Sequence, residues 1–70
     1  MNLNKVKNYI KNMLFEEHVF VYKGVRNQVE KFRGKINNCY SGIFIIELSD
    51  GRIKSFSYND VIMGNLIVFS

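Results

Sequence analysis

At Glu17 the hydrophobic period of the chain changes from that of a helix to two, and from there short apolar runs follow one another, punctuated by Gly24, Gly42, Gly51 and Gly64. Such a pattern builds strands joined by tight turns. "HVFVYK", rich in β-branched and aromatic residues, reads as a first strand that ends at Gly24, with a turn through Val25 to Asn27. "QVEKFRGKINNCY" alternates so that Phe32, Gly34 and Ile36 share one face while Lys31, Arg33 and Lys35 share the other. Gly34 in mid-strand predicts a bend or a bulge, the device that turns the corners of small barrels.

A turn near Ser41 and Gly42 leads into "IFIIEL", and Asp50-Gly51 predicts a hairpin with a two-residue loop. That loop sets Leu48 opposite Ile53, Glu47 opposite Lys54, Ile45 opposite Phe56 and Phe44 opposite Ser57. Both faces of the hairpin are then partly apolar, which calls for a curled sheet that fills its own interior and has a helix or another subunit outside. In "SFSY" the alternation is the pleat of a strand, with serines small enough to let the sheet curl.

Ahead of the strands, "NLNKVKNYIKNMLF" places Leu3, Val6, Ile10, Met13 and Leu14 on one stripe at helical spacing, with Asn2 or Asn4 as the cap. Its apolar face needs a partner, since an isolated helix of this length is marginal in water. "YNDVI" breaks the alternation and predicts one 3₁₀ turn capped by Asp60, and "NLIVF" is a final strand. The expected fold is mainly β. It is a small five-stranded SH3-like (Sm-like) barrel over about residues 17–69, with an N-terminal α-helix over about 2–14 and a short 3₁₀ turn before the last strand. The alternative is an open sheet with one helix packed on it.

The 70 residues are expected to form one domain, near the size at which every strong apolar side chain matters. A single cysteine, Cys39, excludes an internal disulfide, and no secretory, transit or long apolar segment is apparent, so a cytoplasmic location without membrane contact is expected. The net charge of +4 favours polyanions at long range, but Asn, Lys and Ile are all abundant, so where the lysines lie counts for more than how many there are.

Little in the chain is suited to catalysis. The carboxylates of Glu16, Glu17, Glu30, Glu47, Asp50 and Asp60 form no pair across a cleft, His18 and Cys39 each stand alone, and no glycine loop cradles phosphate. The expectation is a binding protein with no cofactor, no metal and no small-molecule substrate. Lys31, Arg33 and Lys35, with Lys23 and Arg26 at the neighbouring turn, are the candidate nucleic-acid contacts. Cations two residues apart on a strand lie ~7 Å from each other, near the phosphate spacing of a nucleic-acid strand. The competing reading is a solvated outer face, with Glu30 interrupting the cluster. Tyr22, Tyr40 and Tyr58 are candidates for base stacking or, alternatively, rim packing residues. Ile43, Ile45 and Tyr58 form a second candidate surface, for a protein partner or a homo-oligomer.

"INNCYSGIFIIEL" followed by "SFSYNDVI" resembles the Veg family of small bacterial proteins. The likeness rests on Gly34, Tyr40, Phe44 and Leu48, then Ser57, Tyr58, Asp60 and Ile62, with a Gly-closed hairpin between the two runs, and covers the chain from Gly34 onward. Ser41-Gly42 stands where the family usually has a proline. "KGVRNQ" keeps only Lys23 and Arg26 of a first hairpin otherwise rich in Gly, Arg and Lys. The resemblance implies an SH3-like barrel, no known catalysis and a regulatory role linked to transcription and biofilm formation. A non-enzymatic bacterial regulator associated with DNA or RNA is therefore expected, the alternative being a protein-interaction module or oligomeric adaptor that binds no nucleic acid.

Overall fold

A computed structural model describes residues 2–24, 26 and 28–69. The elements are helix α1 (Leu3–Lys11), strands β1 (Glu17–Lys23), β2 (Val29–Cys39), β3 (Ile43–Leu48) and β4 (Ile53–Ser57), helix α2 (Tyr58–Ile62) and strand β5 (Leu66–Phe69). The strands form one five-stranded sheet in the order β4-β3-β2-β1-β5, every neighbouring pair antiparallel. The sheet is not closed into the expected barrel. Its two edges, β4 and β5, are separated by α2, which packs against both, so no ladder joins them.

Helix α1 starts where the Asn2 side chain accepts the Lys5 N–H at 2.9 Å, and it buries Val6 and Ile10. It ends sooner than the apolar stripe predicts. The Met13 and Leu14 N–H groups donate to Ile10 and Lys11 at 3.0 and 3.2 Å, a tighter turn that carries Leu14 beside Ile36. Phe15 then takes a left-handed φ of 65°, and its N–H donates to the Ile36 carbonyl at 2.8 Å. The turn predicted through Val25 to Asn27 falls partly outside the described residues; Gly24 and Gln28 close it with an N–H···O bond of 2.8 Å.

The β3–β4 register is shifted by one from the expected one. Phe44 lies opposite Phe56, Ile45 opposite Ser55, Ile46 opposite Lys54 and Glu47 opposite Ile53. The cause is the loop. Ser49 joins Asp50 and Gly51 in it, Gly51 takes φ 90° and donates its N–H to Leu48 at 2.9 Å, and Leu48 in turn bonds Arg52 at 2.7 Å. This three-residue hairpin with a left-handed glycine replaces the two-residue form. Because side chains alternate, the shift sends Phe56 inward and Ile53 outward, the reverse of their expected sides.

The inner face therefore assembles a run of aromatic rings. Phe32 stacks between Phe20 and Phe56 at 5.5 and 5.9 Å, Phe56 meets Tyr22 and Phe44 at 5.2 and 6.3 Å, and Phe44 meets Tyr58 at 5.4 Å. Ile36, Ile46, Leu48 and Leu66 fill the space between the rings and the apolar stripe of α1. The bulge expected at Gly34 is displaced to Asn37, where the β2–β3 register shifts between Ile36 and Asn38, while Gly34 pairs regularly with His18 and Leu48.

"YNDVI" forms an α-helical turn rather than the 3₁₀ turn expected. Ser57 and Asp60 close a reciprocal capping box, and the Met63 N–H reaches the Asn59 carbonyl at 2.9 Å, a full helical step. This helix rotates Tyr58 into the core, where it is 1% exposed and its hydroxyl donates to the Tyr40 carbonyl at 2.8 Å. Burial, reinforced by the Cys39 thiol beside it, raises the Tyr58 pKa above the ordinary 10.0. A raised value means the unfolded chain releases this proton first, so the stability it contributes is whole below about pH 10 and is lost as pH rises through the folded value. Tyr58→Phe is expected to cost about 0.5–1.5 kcal/mol at neutral pH through the lost hydrogen bond. The variant should also show a shallower alkaline fall in stability, as measured by urea unfolding at about pH 7 and about pH 11.

Candidate interaction face

Helix α1 covers the inner face of the sheet and leaves the outer face bare. Ladder registers place Glu17, Val19, Val21 and Lys23 of β1 beside Lys35, Arg33, Lys31 and Val29 of β2 on that outer face. Ile67 and Phe69 of β5 flank them on one side, and Glu47, Ile45 and Ile43 of β3 with Ile53 of β4 on the other. Several of these apolar side chains are open to solvent: Val29 is 61% exposed, Ile53 60%, Phe69 51% and Ile43 42%, while Ile45 is half-buried. The outer face is thus a central cationic row with apolar margins, Phe69 among them.

The row is uneven along its length. Lys35 has Glu17 and Glu47 as its direct cross-strand neighbours, with Cβ atoms ~5 Å apart, so two carboxylates offset its charge. Glu47 is itself steadied by the Asn37 side-chain amide at 3.2 Å. Arg33 and Lys31 lie opposite Val19 and Val21 and keep their charge facing outward. Lys23 closes β1 opposite Val29, and Arg26 is exposed in the turn with φ 58°. The candidate cations Lys23, Lys31 and Arg33 therefore share one end of the outer face, while Lys35 belongs to an alternating-charge patch at the other end.

Glu30 does not interrupt the row, because alternation along β2 turns it to the opposite face. There its carboxylate accepts the Lys54 ammonium at 2.8 Å, a bond that holds the Glu30 pKa below its ordinary value. Lys54 also lies 5.4 Å over the Phe32 ring. Asp50 bonds the Arg52 backbone N–H at 3.0 Å and its guanidinium at 2.7 Å, and its pKa is lowered by the same contacts, the backbone bond foremost. Lys31, Arg52 and Lys54 with Glu30, Phe32 and Leu48 line a shallow cleft of about 230 Å³. Reading the sequence missed Arg52 and Lys54 at this margin, since only the three-residue hairpin brings them alongside Lys31.

A larger open cleft of about 390 Å³ lies at the far end, among Phe15, Glu17, Gly34, Lys35, Glu47, Leu48 and Ser49. Its charges alternate in sign and belong to the Lys35 patch. His18 is largely buried, edge-on to Phe20 at 6.4 Å, with Nε2 3.3 Å from the Glu16 carboxylate. Among the described residues no group of three or more His, Cys, Asp or Glu side chains could hold a metal ion. No helix of the described residues is long and apolar enough to cross a membrane.

Of the three tyrosines considered for stacking, Tyr58 is in the core, Tyr22 packs on Phe56, and Tyr40 is exposed beyond the end of β2 remote from Lys31. None of them stands beside the unshielded cations. Tyr58 offers no surface to a protein partner either, whereas Ile43 and Ile45 do lie together on the outer face.

These features define a small mainly β protein, one antiparallel sheet with a helix on one face and a mixed cationic and aliphatic surface on the other. The chain belongs to the family described as biofilm formation stimulator VEG, whose model matches residues 1–68. That family is regulatory, which supports a regulatory role in biofilm formation. A comparison with curated proteins finds no match.

Proposed function

We propose that this chain regulates biofilm formation without catalysis, by binding a protein partner across the outer face of its sheet. The observation that carries the reading is that exposed Val29, Ile43, Ile53 and Phe69 share one face of the sheet with outward-facing Lys31 and Arg33. Aliphatic area supplies affinity, and the two cations select a partner with acidic groups at matching positions. The strand order, with a short helix between β4 and β5, supports placing the fold in the SH3-like (Sm-like) class with its seam left open. A cytoplasmic site of action goes with a single unpaired cysteine.

A second reading, a nucleic-acid-associated regulator of transcription, draws on the same exposed Lys31 and Arg33 with Lys23 and Arg26. It is the weaker one, since Lys35 sits between carboxylates and none of Tyr22, Tyr40 and Tyr58 stands beside Lys31 and Arg33. One pair of measurements separates the two. Lys31→Glu/Arg33→Glu and, separately, Ile45→Lys are introduced into a host whose biofilm output depends on this protein, and the purified variants are titrated into labelled DNA and RNA at two salt concentrations. For a protein partner, both variants fold, both lose biofilm stimulation, and no nucleic acid binds. Nucleic-acid binding that falls by ~0.9 log units per phosphate contact for each tenfold rise in salt, and is lost only in the charge-reversed variant, would replace the protein reading.

A further inference from the structure

We infer that the open edge of β4, at Ile53 and Ser55, takes an extended acidic segment of the protein partner as a sixth strand, which rests on that partner binding the outer face as proposed. Among the described residues β4 is hydrogen-bonded to β3 alone and forms one margin of the sheet. The phase of that ladder shows which groups are left over. The Leu48 N–H donates to the Arg52 carbonyl at 2.7 Å, and at the other end the Tyr58 N–H donates to the Gly42 carbonyl at 3.4 Å, so both are bonded pairs. Bonded and non-bonded pairs alternate along an antiparallel ladder, so Ile46 with Lys54 and Phe44 with Phe56 are bonded as well. Ile53 and Ser55 then turn their N–H and C=O groups away from β3, toward the margin.

That stretch is open to solvent. Ile53 is 60% exposed, and Ser55 is exposed too. Helix α2 begins beyond Ser57, whose N–H is taken by the Asp60 carboxylate at 3.3 Å, so the free edge ends before the helix does its packing. The other margin is closed by comparison, since Leu66 of β5 is 1% exposed. A strand added antiparallel to β4 pairs with Ile53 and Ser55 through about four hydrogen bonds. Its side chains opposite those two residues then extend the outer face past Ile53.

The chemistry of the edge selects this occupant. Between the two free residues stands Lys54, turned to the inner side with Phe56. Two copies joined by this edge would set Lys54 against Lys54 across the two-fold axis, so like charges oppose self-pairing. A carboxylate opposite Lys54 is attracted instead. The Lys54 ammonium uses one of its three N–H donors on Glu30, and Arg52 meets the Asp50 side chain through Nε, which leaves donors on both cations for a second carboxylate. Lys31, which has no ion pair among the described residues, lines the same shallow cleft as Arg52 and Lys54. The segment that fits therefore carries an acidic side chain toward Lys54 and an apolar one beside Ile53. With two bonded pairs the added strand binds weakly by itself, and the outer face supplies the rest of the affinity.

Amide hydrogen exchange of the full chain, read by NMR, tests this and needs no identified partner. In the free protein the Ile53 and Ser55 amides should exchange at least about tenfold faster than those of Lys54 and Phe56. The probe is a short peptide of alternating valine and glutamate at about 1 mM, compared with its valine and lysine counterpart. The glutamate peptide should slow exchange at Ile53 and Ser55 at least about threefold, and the lysine peptide should leave it unchanged. Ser55→Pro removes an N–H that makes no bond to β3; with circular dichroism showing a folded chain, it should abolish the peptide's effect at Ile53 and lower biofilm stimulation severalfold. Slow exchange of both amides in the free chain, equal effects or none from the two peptides, or full stimulation by the folded Ser55→Pro variant would each overturn the assignment, and the first two need no variant to fold. Ile45→Lys tells this failure from that of the outer-face reading. Stimulation lost in Ile45→Lys but kept in folded Ser55→Pro leaves the outer face bound and the edge unused, whereas full stimulation by Ile45→Lys removes the outer-face partner and the added strand with it.

Discussion

Phe56→Ala is expected to remove a large part of the protein's stability at 25 °C, while Ile53→Ala, three residues earlier on the same strand, should be nearly silent. Phe56 is 8% exposed, and its ring is the junction of the aromatic run, in contact with Tyr22, Phe32 and Phe44. Removing such a ring costs about 3–5 kcal/mol, the lost transfer energy plus the void left behind. A chain of this length has on the order of 3–10 kcal/mol in all, so the loss is comparable with the total. Ile53 stands on the solvent side opposite Glu47, and a substitution there should stay within about 0.5 kcal/mol. The pair of variants reads the β3–β4 register directly. In the register of a two-residue loop Phe56 would share the outer side with Ile43 and Ile45, and Ile53 would be the buried one. Urea unfolding of both, followed by tyrosine fluorescence, gives the answer, and comparable losses in the two would mean the hairpin is wrongly paired.

That register shows where the sequence stops being legible. The strands could be read because alternation is a local property, written in each run of five or six residues. The hairpin could not, because Asp50-Gly51 suits a two-residue loop and a three-residue loop equally well. What selects the longer one is the burial of Phe56 against Phe32 and Tyr22, a contact between strands far apart in the chain. Tyr58 was misplaced for a related reason: the Ser57–Asp60 box winds the chain into a helix at that residue, and the alternation that put Tyr58 beside Ile43 no longer applies. Closure of the sheet was the least legible feature, since it depends on whether β4 and β5 meet, which no periodicity encodes. In the candidate site, the outward direction of Lys31, Arg33 and Lys35 followed from spacing alone. Their unequal charge environment did not, because Glu17 and Glu47 reach Lys35 only through the pairing of three strands.

Gly34→Ala should destabilise the protein by about 2–3 kcal/mol, against the ordinary expectation for a glycine in a strand. Glycine in a strand interior is weakening, and replacing it with alanine usually gains about 0.4–1 kcal/mol by restricting the unfolded chain. The conformation here is no obstacle, since Gly34 does not share the positive φ of Gly51 and Gly64. The obstacle is contact. A Cβ at this position would stand 2.6 Å from the Glu47 carbonyl oxygen and 2.9 Å from Ile46 Cγ2. The nearer atom is backbone and is held in the β2–β3 ladder, so it cannot swing aside as the end of a flexible side chain would. Among the described residues Gly34 and Lys35 are the β2 positions with ladder partners on both flanks, where β2 passes from pairing with β1 to pairing with β3. Relief of the clash therefore has to move two strands together, which puts the cost near the top of the usual 1–3 kcal/mol for overpacking. A fall in Tm of about 10–20 °C follows for a domain of this size. Lys35→Ala, one residue along on the exposed face, serves as the control and should shift Tm only slightly. If Gly34→Ala raised Tm instead, β2 and β3 would have to stand farther apart at the crossover, and Gly34 would be a tolerated weakness rather than the condition for their close approach.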